Sequence, residues 1–98
     1  MSLTSKQKRH LRALAHTLKP VVMVGNAGIT DGVISEIDGR LLHHELIKIR
    51  LGGMTRDDRA AAIDAICRKT HSELVNNIGH IGVFYRASQQ KLIVLPKA

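Results

Sequence analysis

Aromatic side chains are almost absent from this sequence: there is no tryptophan, and Phe84 and Tyr85 stand alone. Proteins that read single-stranded nucleic acid by stacking normally present several aromatics, so the stacking platform of an RRM is excluded, and recognition through backbone amides, Lys and Arg is expected to favour phosphates, shape and structured RNA over base sequence. Cysteine is equally scarce. Cys67 has no partner for an internal disulfide, which fits a reducing compartment such as the cytoplasm. No apolar run approaches the roughly 18 residues of a membrane helix. The opening MSLTSKQKRH has no apolar stretch after its charges and is not expected to be a secretory signal. Acidic side chains are missing from residues 1–30, which hold Lys6, Lys8, Arg9, Arg12 and Lys19.

That last absence shapes what the chain can bind. Over all 98 residues, 15 Lys and Arg face 8 Asp and Glu, a net charge of +7 with pI near 10.2. Five of those seven charges come from the first 30 residues, because the remainder is nearly balanced. Such a profile suits a polyanion partner. The length is that of one domain, residues 1–98, large enough for a core without staples.

The pattern of apolar residues predicts seven elements. Thr4 and Gln7 form a capping box for a first helix running to about Leu18, with Leu11, Leu14, Ala15 and Leu18 on one stripe. Lys8, Arg9, Arg12 and His16 occupy the neighbouring arc, and Pro20 prevents continuation. Val21 to Val24 reads as an interior strand covered on both faces or nearly so. Thr30 caps a second helix from Asp31 to about His44, with Val33, Ile34, Ile37 and Leu41 facing inward. Residues 46–51 alternate, so Ile47, Ile49 and Leu51 share one face and Lys48 and Arg50 the other. Gly52-Gly53 ends that strand. Thr55 and Asp58 signal a third helix ending near Thr70, with Ala60, Ile63, Ile66 and Cys67 as its apolar stripe. Residues 74–86 are strand-like with a break at Gly79, and KLIVL after the polar turn ASQQ is expected to be the last strand. The order α-β-α-β-α-β-β implies an α/β (α+β) fold, a mixed sheet with helices packed on it.

The candidate site is the loop Gly25-Asn26-Ala27-Gly28 within VVMVGNAGIT. Glycine permits positive φ and leaves no β-carbon in the way of an approaching molecule. The loop lacks the spacing and the lysine of a Walker loop and the third glycine of a dinucleotide fingerprint, so nucleotide hydrolysis is disfavoured. A GxxG loop that clamps a nucleic-acid backbone fits better, since it also feeds a helix N-terminus that favours phosphate. Lys19 is expected nearby, on the entry side of the strand. No metal set is evident: His43 and His44 point about 100° apart on a helix and lack a completing ligand. Cys67 reads as a small buried hydrophobe rather than a nucleophile, and no histidine has an evident catalytic partner. No catalytic residue and no cofactor is expected.

KQKRHLRALAHTLKPVVMVGNAGIT, HHELIKIRL and IGHIGVFYR followed by KLIVLP together resemble the single-domain bacterial members of the YhbY-type CRM family, named for chloroplast RNA splicing and ribosome maturation. The resemblance covers nearly the whole chain. It implies a mixed four-stranded sheet with three helices, similar to the C-terminal domain of translation initiation factor three. It also implies binding to ribosomal RNA of the large-subunit precursor, with no membrane and no small-molecule substrate. Residue by residue, it makes Gly25, Asn26, Ala27 and Gly28 the family's loop, and Lys48 and Arg50 with the first helix (Lys6, Lys8, Arg9, Arg12) its basic surface. Many family loops carry a lysine between the glycines. Here the tip is uncharged, so a clamp must use main-chain amides and charge from elsewhere. The rival expectation is a protein-interaction module that reaches ribosomes without recognising RNA directly, its charge only assisting encounter.

Overall fold

The computed structural model describes residues 2–98. Its elements are α1 (Ser5–Ala15), β1 (Pro20–Val24), α2 (Asp31–His44), β2 (Leu46–Leu51), α3 (Arg56–Thr70), β3 (Glu73–Ile78) and β4 (Ile81–Tyr85). The order of types is the expected one, and the sheet runs β1-β2-β4-β3. β1 and β2 are parallel because α2 carries the chain between them, whereas β4 is antiparallel to both β2 and β3.

Each helix begins where a threonine can cap it. Thr4, Thr30 and Thr55 accept the amides of Gln7, Val33 and Asp58, all at 3.1 Å, and Gln7 returns the bond to the Thr4 amide at 3.0 Å. α1 ends three residues sooner than the stripe predicted. Its last turn tightens, with the amides of His16 and Leu18 bonding to Ala13 and Ala15, and Pro20 bars helical geometry at Lys19. Leu11 and Ala15 are buried as expected, whereas Leu14 and Leu18 remain substantially exposed.

The sheet separates two apolar layers. On one side Val22, Val24, Ile47, Ile49, Leu51 and Phe84 meet Ile37 and Leu41 of α2 and Ile66 of α3. On the other, Leu46, Val75, Val83 and Tyr85 meet Leu11 and Ala15 of α1, with Leu3, Ile93 and Leu95 packed alongside. α1 leans on β2 and β3 and leaves β1 uncovered. β1 is therefore an edge strand with one covered face, not the interior strand expected: Val22 and Val24 are buried while Val21 and Met23 lie open.

KLIVL is not the last strand that its composition predicts. Both remaining strands lie within residues 73–85, joined by a tight turn at Gly79-His80, and residues 91–95 form no strand. β4 already has a neighbour on each side, so no edge is left for another strand at its flank. The tail is held instead by Glu45. This fully buried carboxylate accepts the amides of Ser88, Leu92 and Ile93 at 3.1, 3.0 and 2.9 Å and the hydroxyl of Ser88. Glu45 has φ 64, a conformation uncommon outside glycine. Its backbone is fixed from both sides, its amide bonding to Leu41 and its carbonyl accepting from Arg86, each at 2.9 Å. Gln7 completes the tether by donating to the Pro96 carbonyl at 3.1 Å.

Candidate nucleic-acid interface

Because β1 and β2 are parallel, their outgoing loops emerge at the same end of the sheet. The Gly25–Gly28 loop and the Gly52-Gly53 turn lie side by side, so close that a β-carbon on Gly53 would stand 3.4 Å from Asn26 Oδ1. The β3–β4 turn joins them, with the Leu51 amide donating to the His80 carbonyl at 2.7 Å. A cleft of about 370 Å³ opens between the two glycine turns and α3, with Asn26, Met54, Asp58 and Ala62 among its walls.

Within the GxxG loop the chain reverses through one turn, closed by the Gly28 amide bonding to the Gly25 carbonyl at 3.0 Å. Gly28 has φ 73, which a β-carbon would strain; Gly25 is not in that region. A β-carbon on Gly25 would nonetheless meet nothing within 4 Å, so the space its absence frees faces outward. Asn26 and Ala27 form the exposed tip, and among the described residues their amides meet no acceptor. The start of α2 is less open to an anion than the loop, since Thr30 takes the Val33 amide and Asp31 places a negative charge in the first turn.

The predicted cations divide into two groups. Lys48 and Arg50 project onto the face that carries α1, as the alternation required, and Arg50 pairs in register with Met23, two residues before the loop. Lys48 lines a groove with Arg12 and His16 of α1 and with Asn76, Ile78 and Ile81, so strand and helix cations converge. Lys8 and Arg9 sit on the same arc of α1 as Arg12. Lys19 and Lys6 do not line that groove, although Pro20, beside Lys19, pairs in register with Lys48. Lys19 precedes β1 while the loop follows it, a separation of about 20 Å of extended chain; it lines a different groove with Leu14, Leu18, Val21 and His44. Lys6 is exposed on the outward side of α1.

Several residues at this end of the molecule escaped the sequence reading. Arg59 bridges the loops, its guanidinium 3.4 Å from both the Met54 carbonyl and His80 Nδ1. His80 Nδ1 also lies 3.2 Å from the Leu51 carbonyl. Gly52-Gly53 was legible only as a strand end; its signal was that two parallel strands both stop at glycine. Cys67 is half-buried against the core and burial pushes its thiol pKa up, which suits a packing role. Phe84 and Tyr85 are both buried, so neither offers a ring to solvent.

Residues 3–86 match the CRS1 / YhbY (CRM) domain. The chain belongs to this family. As a CRM domain it is 48% identical over 96 residues to a Haemophilus influenzae protein named RNA-binding protein, a match spanning 98% of this chain and 97% of the relative. A Pseudomonas aeruginosa protein, named as a probable RNA-binding protein, is 43% identical over 86 residues, 88% of this chain and 83% of its own. The solution structure of the hypothetical protein SAV1595 from Staphylococcus aureus superposes on this CRM domain with TM-score 0.83 at 42% identity, covering 97% of this chain and all of that one. The three helices and four-stranded mixed sheet are thus shared with a relative of solved structure.

Proposed function

We propose that this CRM domain is a non-enzymatic RNA-binding factor that engages ribosomal RNA in the cytoplasm during assembly of the large ribosomal subunit. The sugar-phosphate chain is held by the amides of Asn26 and Ala27, bracketed by Gly25 and Gly28, and charge is supplied by Lys48, Arg50, Arg12, Lys8 and Arg9. The observation that carries this reading is the unpartnered, outward-facing tip of the loop, with Arg50 in register two residues before it and Lys48 and Arg12 converging further along the same face of the sheet. The names of the relatives support RNA as the ligand class. The assembly role rests on the resemblance to bacterial members of the family. The cytoplasmic placement rests on the lone cysteine; among the described residues, no helix is long and apolar enough to cross a membrane.

The test is the double substitution Asn26→Asp with Ala27→Asp, which sets two negative charges where phosphate is proposed to lie. Both positions are exposed and away from the core. At an effective dielectric between that of a protein surface and water, each charge repels a phosphate about 4 Å away by roughly 1 to 4 kcal/mol. RNA affinity should fall at least tenfold while the melting temperature is retained. Unchanged affinity would remove the loop from the interface.

A second reading, a module that joins ribosomes through a protein, draws on the groove lined by Leu14, Leu18 and Val21 with Lys19 at its edge. Under that reading purified RNA fragments would bind no better than heparin does.

A further inference from the structure

Strand register sets four side chains in one row across the face that α1 leaves open. Met23 pairs with Arg50, Arg50 with Ile81, and Ile81 with Ile78. At about 4.8 Å per strand the row is about 14 Å wide, room for a few nucleotides. Its ends are the most open part: Met23 is 71% and Ile78 70% exposed, although both are large and apolar. The row behind it, toward α1, holds Lys48, Val83 and Asn76, with Arg12 and His16 as the wall. Among the described residues, no acidic side chain lines this groove. At the Met23 end the strand runs directly into the Gly25–Gly28 loop.

Apolar surface interleaved with cations fits a ligand that has flat apolar faces on a negatively charged chain. A duplex presents phosphates and groove edges, which give Met23 and Ile78 nothing apolar to cover. An apolar protein segment would leave Arg50, Lys48 and Arg12 without partners. Unpaired nucleotides use both halves of the surface. Both aromatic rings lie in the core, so base contacts must come from other side chains. A methionine thioether makes favourable contacts with aromatic rings, and a guanidinium plane stacks on bases. We infer that the row Met23–Arg50–Ile81–Ile78 is a base-binding subsite for single-stranded RNA, continuous with the phosphate-binding loop; it rests on the RNA-binding reading above. Bases lie over the row while the phosphates follow Arg12 and Lys48 toward the Asn26-Ala27 tip.

The chain contains no tryptophan, so Met23→Trp installs a sole indole reporter at an exposed site. It is titrated with a single-stranded RNA of mixed sequence, the same strand annealed to its complement, and heparin, with occupancy followed separately by anisotropy of the labelled RNA. Indole emission should be quenched by the single strand and not by the duplex or heparin. In parallel, Met23→Ala with Ile78→Ser should weaken single-strand binding about three- to tenfold through lost ring contacts, leaving the salt slope and duplex binding unchanged. Unquenched emission at saturating single strand, or an equal effect of the pair on both RNA forms, overturns the inference. If the unsubstituted protein binds no RNA, the functional reading falls with it. If RNA binds and the loop substitutions weaken it while the row substitutions do not, only the row is overturned.

Discussion

Replacing Lys48 and Arg50 by glutamine tests the electrostatic half of the interface through a slope rather than a single affinity. Arg12 and Lys48 line one groove, Arg50 lies two residues further along β2, and Lys8 and Arg9 share the helix arc of Arg12; the proposed contact uses these five. If each of those five neutralises one phosphate of a single strand, log affinity falls with log salt at a slope of about -3.5. From about 50 to about 200 mM salt, the protein then loses roughly a hundredfold in affinity. Removing Lys48 and Arg50 should reduce the slope to about -2 and the loss to roughly twentyfold. Neither side chain belongs to either core cluster, so folding stability should change by no more than about 0.5 kcal/mol. The control is Arg40→Gln with Lys69→Gln, which removes the same formal charge from exposed positions of α2 and α3 on the opposite side of the sheet and should leave the slope near that of the parent. Fluorescence anisotropy of labelled RNA across a salt series reads all three proteins. A slope that is the same in the Lys48 and Arg50 variant as in the parent would mean that neither group neutralises a phosphate, and one equally reduced in the control pair would mean that charge acts only as a global field; either result refutes the contact.

Two further predictions address the loop and the tail. Gly25→Ala should leave the melting temperature unchanged, because its β-carbon enters open space, yet weaken RNA binding if the sugar-phosphate chain approaches that closely; Gly28→Ala, at φ 73, should instead cost about 1 kcal/mol of stability on thermal unfolding. Glu45→Gln should destabilise the protein by about 2 kcal/mol, because a buried charged acceptor of several bonds is lost. Burial works to raise the pKa of Glu45, but the bonds from Ser88, Ile93 and Leu92 outweigh it and the pKa is lowered. Its contribution is therefore present above the usual carboxylate pKa and is lost as pH falls through the depressed folded value. Thermal melts down an acid series should show the stability gap between parent and Glu45→Gln closing in that range; a gap independent of pH would contradict the carboxylate latch.

What the sequence disclosed followed from local rules. Three threonines with the right downstream residues marked three helix starts, and the alternation in LIKIRL assigned Lys48 and Arg50 to the face opposite Ile47 and Ile49. What it hid was set by neighbours in space. VVMV reads the same at an edge as in the middle of a sheet, and only the short reach of α1 leaves Met23 bare. KLIVL has the composition of a strand, but strand formation needs a free sheet edge, and β4 had none at its flank. Glu45 carried no signal beyond being an acid in a one-residue connection between α2 and β2; the tail that covers it comes from more than 40 residues downstream. The loop was legible from its glycines, and the strand expected at Val21 to Val24 already set Lys19 at the far end from it, so the expected proximity of Lys19 ignored the length of that strand. Pairing of Met23, Arg50, Ile81 and Ile78 needed the register of three strand pairs, which no single stretch of sequence contains.

The most direct test of the account follows backbone amide shifts of the labelled protein by NMR as single-stranded RNA is added. The account predicts that the largest changes fall on Asn26 and Ala27 and continue through Met23, Arg50 and the groove beside Arg12, while Glu36, Arg40 and His43 on the outer side of α2 stay still. Changes centred on α2 and α3, or on the groove of Leu14, Leu18 and Lys19, with Asn26 and Ala27 unmoved, would contradict it.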